Sequence, residues 1–128
     1  MARIGSTKGY RIAYPSNKME ATVEREIERV VTRFHREQQG HSPEVCNVTV
    51  LPDMAVIRCR DIFTPTELEL VRTEEGRKIV QSARREQRAL TRRQAEAAIS
   101  GATGRNVVRS YYDLDVRVGE QAEIYVFE

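Results

Sequence analysis

Apolar residues follow two regimes along the chain, a three-and-four spacing sustained over tens of residues and then a strict alternation, and the sequence runs through this pair twice. In the first pass Met19, Val23, Ile27, Val30, Val31 and Phe34 fall on one face of a helix whose other face is Glu and Arg. Asn17 followed by Glu20 predicts a capping-box start, and Gly40 with Pro43 predicts the end. Cys46, Val48 and Val50 then alternate along one strand, and Ala55, Ile57 and Cys59 along the next. Both sets meet one core only when opposed residues sum to an odd number, which calls for a two- or four-residue loop around Pro52-Asp53. Cys46 and Cys59 then lie opposite or diagonal, within geometric reach of a disulfide.

The second pass opens at Thr64-Pro65-Thr66-Glu67, where Thr64 caps, Pro65 suits the first helical position and Glu67 reaches back to the cap. Thr73-Glu74-Glu75-Gly76 predicts a second start, so a short helix bends into a long one ending near Gly101. Ile79, Val80, Ala83, Leu90, Ala97 and Ala98 form its apolar stripe. Val108, Ser110, Tyr112, Leu114, Val116 and Val118 then alternate, answered by Ala122, Ile124 and Val126 across a three-residue turn in which Gly119 takes a positive φ. That pairing places Tyr111, Asp113, Asp115, Arg117, Tyr125 and Phe127 on the opposite, outer face.

The resulting expectation is an α+β fold, a two-layer sandwich in the order α-β-β-α-α-β-β. Two hairpins make a four-stranded, mainly antiparallel sheet, covered on one face by two long helices. Residues 1–16 read as a flexible basic tail and 17–128 as a single domain. Arg3, Lys8, Arg11 and Lys18 have no acidic neighbour before Glu20, so the chain's net +2 comes from this end, and the body, with 17 basic against 19 acidic residues, is nearly neutral at −2. No apolar run approaches the ~20 residues of a bilayer-spanning helix, and the first residues lack a signal-peptide core. A cytoplasmic protein with free, buried thiols at Cys46 and Cys59 is therefore expected.

Candidate chemistry centres on the second long helix. Arg77, Lys78, Arg84, Arg85, Arg88 and Arg92 fall within an arc of about 120° opposite the apolar stripe, a pattern able to fork onto phosphate or an acidic partner or to serve as a solvated face. Arg58 is a further candidate for an anion or for Asp113 and Asp115. Tyr111, Tyr125 and Phe127 are candidates for a subunit or partner interface. Gly101-Ala-Thr-Gly104 resembles the Gly-x-x-Gly clamp of KH domains but leads into a strand, where helix termination is the simpler role. His35, His41, Cys46 and Cys59 do not fall at zinc-ligand spacing, and the nucleophile elbow, phosphate-loop and His-Glu-x-x-His motifs are absent. Neither a metal, a cofactor nor an enzymatic activity is expected.

Between Lys18 and Glu128 the chain holds, in order, Gly40-His41-Ser42-Pro43-Glu44, Asp53-Met54, Thr64-Pro65-Thr66-Glu67, Thr73-Glu74-Glu75-Gly76-Arg77, Arg84-Arg85, Gly104, Asp113 and Val126-Phe127. In these motifs it resembles the MpsC family, the C component of a sodium-translocating membrane-potential-generating system. The chain departs from the family in Asp61-Ile62-Phe63 before the Thr-Pro, in Cys59 and in its more basic long helix. The resemblance implies an accessory component associated with sodium- or bicarbonate-using membrane systems. The expectation is a homodimeric regulatory or scaffolding protein that docks on a protein partner, with a membrane complex at the inner face as one candidate; nucleic acid bound by the Arg-rich helix is the alternative.

Overall fold

The computed structural model describes residues 18–128, with side chains from residue 21 onward. The tail at 1–16 and the Asn17/Glu20 capping box lie outside the described residues and side chains. Helix α1 (Lys18–Gln39) leads into strands β1 (Val45–Val50) and β2 (Met54–Arg60). Helices α2 (Pro65–Leu70) and α3 (Glu74–Thr103) follow, then β3 (Val107–Asp115) and β4 (Glu120–Phe127). The strands form one antiparallel sheet in the order β1-β2-β4-β3, so the two hairpins join through β2 and β4.

The local signals for the first hairpin and for α2 and α3 translate directly. Leu51 N–H donates to Met54 C=O at 2.7 Å across a two-residue Pro52-Asp53 loop, and Val50 opposes Ala55. Thr64 Oγ1 accepts from Glu67 N–H at 3.2 Å while the Glu67 carboxylate accepts from Thr64 N–H at 3.0 Å, completing the capping box. Thr73 caps α3 by accepting from Gly76 N–H at 2.9 Å. Gly104 closes α3 in the left-handed conformation at φ +70°, which favours glycine. The core is made by Ile27 and Val31 of α1, Ala55 and Ile57 of β2, Ile62 and Phe63 before α2, and Val80, Ala95 and Ile99 of α3.

Three expectations are corrected. The turn after β3 holds four residues, with Asp115 opposite Glu120. An even loop inverts the parity of β4: Gln121, Glu123, Tyr125 and Phe127 point toward the helices, while Ile124 and Val126 belong to the outer face. Tyr125 and Phe127 are 1% and 5% exposed, so the expected outer placement fails for both and holds for Tyr111, at 56%. Two aromatic rings bury more apolar surface than the aliphatic side chains they displace, and the inward Glu123 is compensated by an arginine. A bulge between Val107 and Arg109 also turns Val108 outward.

The second correction concerns α3. Its buried positions are Gly76, Val80, Arg84, Ala95 and Ile99, so Ile79, Ala83, Leu90 and Ala97 of the expected stripe face out. The helix is rolled so that two of its arginines enter the interior. The third concerns the thiols: Cys46 and Cys59 are directly opposed, Cα atoms 4.2 Å apart, and are joined as a disulfide.

Candidate functional site

Between the helices and the inner sheet face lies a polar layer that periodicity does not reveal. Arg84 is its first centre. Its Nε and Nη2 donate to the two carboxylate oxygens of Glu67 at 2.7 and 2.6 Å, Nη2 also donates to Ile62 C=O at 2.7 Å, and Phe63 lies beneath the guanidinium. Nη1 donates to His35 Nε2 at 3.0 Å, while His35 Nδ1 lies 2.7 Å from His41 C=O. A carbonyl only accepts, so Nδ1 carries the proton and Nε2 is the acceptor, which fixes a neutral tautomer. Burial and then Arg84 lower the His35 pKa, against the opposing pull of the His41 carbonyl. Burial works against the Glu67 carboxylate, but Arg84 and the Thr64 amide outweigh it and hold the pKa below the usual carboxylate value.

Arg88, one turn on, is the second centre. Nη1 donates to Glu123 Oε1 at 2.9 Å and Nη2 to the Tyr125 hydroxyl at 3.0 Å. That hydroxyl donates to Glu123 Oε1 at 2.5 Å, and Gln121 Nε2 donates to Glu123 Oε2 at 2.7 Å. The guanidinium lies 5.0 and 5.5 Å from the ring centres of Tyr112 and Tyr125. Burial raises the Tyr112 pKa to about 12 and pushes that of Tyr125 well up too. Beside this group is a chamber of about 50 Å³, walled by Val30, Phe34 and Ile99 on one side and by Arg88, Tyr112 and Glu123 on the other. That volume suits water molecules; drug-sized ligands occupy sites of roughly 300–1,000 Å³. Above it, the Gln39 amide donates to Gln87, and Gln87 Nε2 donates to Gln38 C=O at 3.3 Å, linking α1 to α3.

The expected basic stripe is thus divided. Arg84 and Arg88 are inside and paired. Arg77 donates to Val71 C=O at 3.0 Å, Arg85 to Asp113 at 2.8 Å and Arg92 to Glu96 at 3.3 Å. Arg58 pairs with Glu120 rather than with Asp113 or Asp115. Among the described residues no group of three or more His, Cys, Asp or Glu side chains converges as a metal site. Sequence reasoning missed His35, Gln121 and Glu123 and gave Glu67 only a capping role. The available signal was the aromatic pair Tyr125 and Phe127 two residues apart, which marks the inward parity of β4 more strongly than Ala122, Ile124 and Val126 mark the other.

The outer sheet face is different in kind. Val56 opposes Ile124, Met54 opposes Val126, and Tyr111 opposes Ile124 from the other side, giving an apolar centre across β2, β4 and β3. Arg58, Arg109, Asp113 and Asp115 rim it, and no described element lies over it.

A family model described as "Na+-translocating membrane potential-generating system (MpsC)" matches residues 19–128. The uncharacterized protein YbcI of Bacillus subtilis (strain 168) is 24% identical over 115 residues, covering 84% of this chain and 87% of that protein. No solved structure matches the chain.

Proposed function

This chain belongs to the MpsC family, and from that premise we propose that it is a non-enzymatic accessory component that docks on a protein partner of a sodium- or bicarbonate-using membrane system. Among the described residues no helix is long and apolar enough to cross a membrane, so ion passage falls to other subunits and this chain binds to them. The observation that carries the reading is the outer sheet face, over which none of the described elements lies, with Tyr111, Val56, Ile124 and Val126 at its centre and charges of both signs at its rim. An apolar centre with a polar rim is the anatomy of a protein interface. Arg84 and Arg88 are turned away from solvent, which favours the protein-partner reading over a nucleic-acid one, although Lys78, Arg85, Arg92 and Arg93 stay exposed.

The test is retention of the system's detergent-purified membrane subunits on the immobilised full chain. Retention that persists from about 50 to about 200 mM salt and falls at least about tenfold for Tyr111→Asp supports the proposal. Equal retention by the Tyr111→Asp chain, or binding that collapses over that salt range, overturns it.

A further inference from the structure

The face of α3 that the core leaves out carries a pattern of its own. At 100° per residue, Ile79, Ala83, Leu90, Ala97 and Gly101 lie within about 40° of one another around the axis. All five are exposed, and Leu90, at 77%, is the most exposed large apolar residue described. They follow a spacing of four, seven, seven and four, which is unchanged when read backwards about Leu90. The seam runs about 33 Å at 1.5 Å per residue, and no other element of the described chain lies along it.

Charge supplies the second observation. Glu86 is the only acid between residues 77 and 93. It stands on one flank of the seam, four residues before Leu90, and Arg93 stands on the same flank three residues after. Neither has an ion pair or hydrogen bond among the described residues, whereas Arg84, Arg85, Arg88 and Arg92 of the same helix are all paired within the chain.

From this we infer that two copies of the chain pair antiparallel along α3, about a two-fold axis at Leu90. A two-fold perpendicular to the helix axes keeps each flank on its own side and reverses height, so it sets Glu86 beside Arg93 of the second copy, and Arg93 beside its Glu86. It also sets Ile79 against Gly101 and Ala83 against Ala97, a large residue facing a vacant position and small facing small, with the two leucines meeting at the centre. Small residues let the helix backbones approach closely, and isologous contact is what cyclic dimers require. Parallel pairing in register sets Ile79 against Ile79 and carries Glu86 and Arg93 of the second copy to the opposite flank, losing both matches.

This surface is separate from the outer sheet face, and the two fail separately. Sedimentation equilibrium on the full chain reads the oligomeric state, with circular dichroism as a check on folding. The expected result is a dimer whose dissociation constant rises about 30-fold or more in Leu90→Glu, an exposed position where the fold is indifferent to the change. Glu86→Arg alone and Arg93→Glu alone weaken the dimer, each by placing like charges together. Mixing these two variants restores dimers, and so does the double variant Glu86→Arg/Arg93→Glu, since both arrangements again oppose Arg with Glu. A wild-type monomer at 100 μM (roughly 100-fold above a micromolar dissociation constant), a dimer indifferent to Leu90→Glu, or a double variant that stays as weak as the single ones overturns the inference. Tyr111→Asp leaves the dimer intact, and Leu90→Glu leaves retention of membrane subunits intact.

Discussion

Arg88 on α3 and Glu123 on β4 meet at 2.9 Å inside the layer where a helix and a sheet would ordinarily bring only apolar side chains together. Their side chains are 11% and 5% exposed, so each ion depends on the other for what water would have supplied. Removing one partner leaves an uncompensated buried charge. Arg88→Ala should therefore lower stability by about 3–5 kcal/mol in urea denaturation, and Arg88→Met combined with Glu123→Leu should recover at least half of that loss. A single variant within about 1 kcal/mol of wild type would show the pair to be idle.

The Arg84 and His35 contact predicts an acid limb. The folded-state pKa of His35 is depressed below its ordinary 6.5, so the unfolded chain takes up a proton that the native state refuses. Stability should fall as pH drops from about 6.5 toward the depressed value, by at most about 1.4 kcal/mol per unit, and His35→Gln should flatten this limb. Glu67 acts in a lower window: its stabilisation is present above 4.5 and is lost as pH falls through its own depressed pKa. Urea midpoints from about pH 2 to 8, read for wild type and His35→Gln, separate the two.

Gly76 is fixed by its neighbour. A Cβ built there would lie 1.7 Å from the Leu70 carbonyl oxygen, so Gly76→Ala forces α2 away from α3. A loss of more than about 3 kcal/mol is expected, against about 1 kcal/mol for Thr64→Ala, which removes one cap. Equal thermal midpoints for the two variants would refute the close approach.

Reduction of the Cys46 to Cys59 bond, which closes a loop of sequence separation 13, should cost about 3 kcal/mol. The comparison is the urea midpoint with and without dithiothreitol, with Cys46→Ala/Cys59→Ala as the reference; a midpoint indifferent to reductant would show the thiols unpaired in solution.

How much of this was legible depends on what each signal measures. Caps and turns are local chemistry, and Thr64, Glu67, Thr73 and Gly104 occupy the roles their types dictate. The first hairpin was legible because both strands have one apolar face, whose parity limits the loop to two or four residues. Its disulfide was not, since the opposed register of Cys46 and Cys59 gives proximity but not oxidation. Periodicity failed where the interior is polar. It counts Arg84, Arg88 and Glu123 as outward, and that single assumption rolls α3 and turns β4 over. The exposed seam at Ile79 and Leu90 was misread for the same reason: those residues looked like core because the true inward face carries guanidinium groups.

The position of β4 between β2 and β3 sets an order on biosynthesis. A ribosome moving from residue 18 onward makes the first hairpin and all three helices before β4, the second strand bonded to β2, exists. Until residues 120–127 emerge, the edge of β2 that β4 later covers remains open to any neighbouring nascent chain. Ribosome stalling or cleavage upstream of Glu120 thus yields an adhesive fragment rather than a smaller protein.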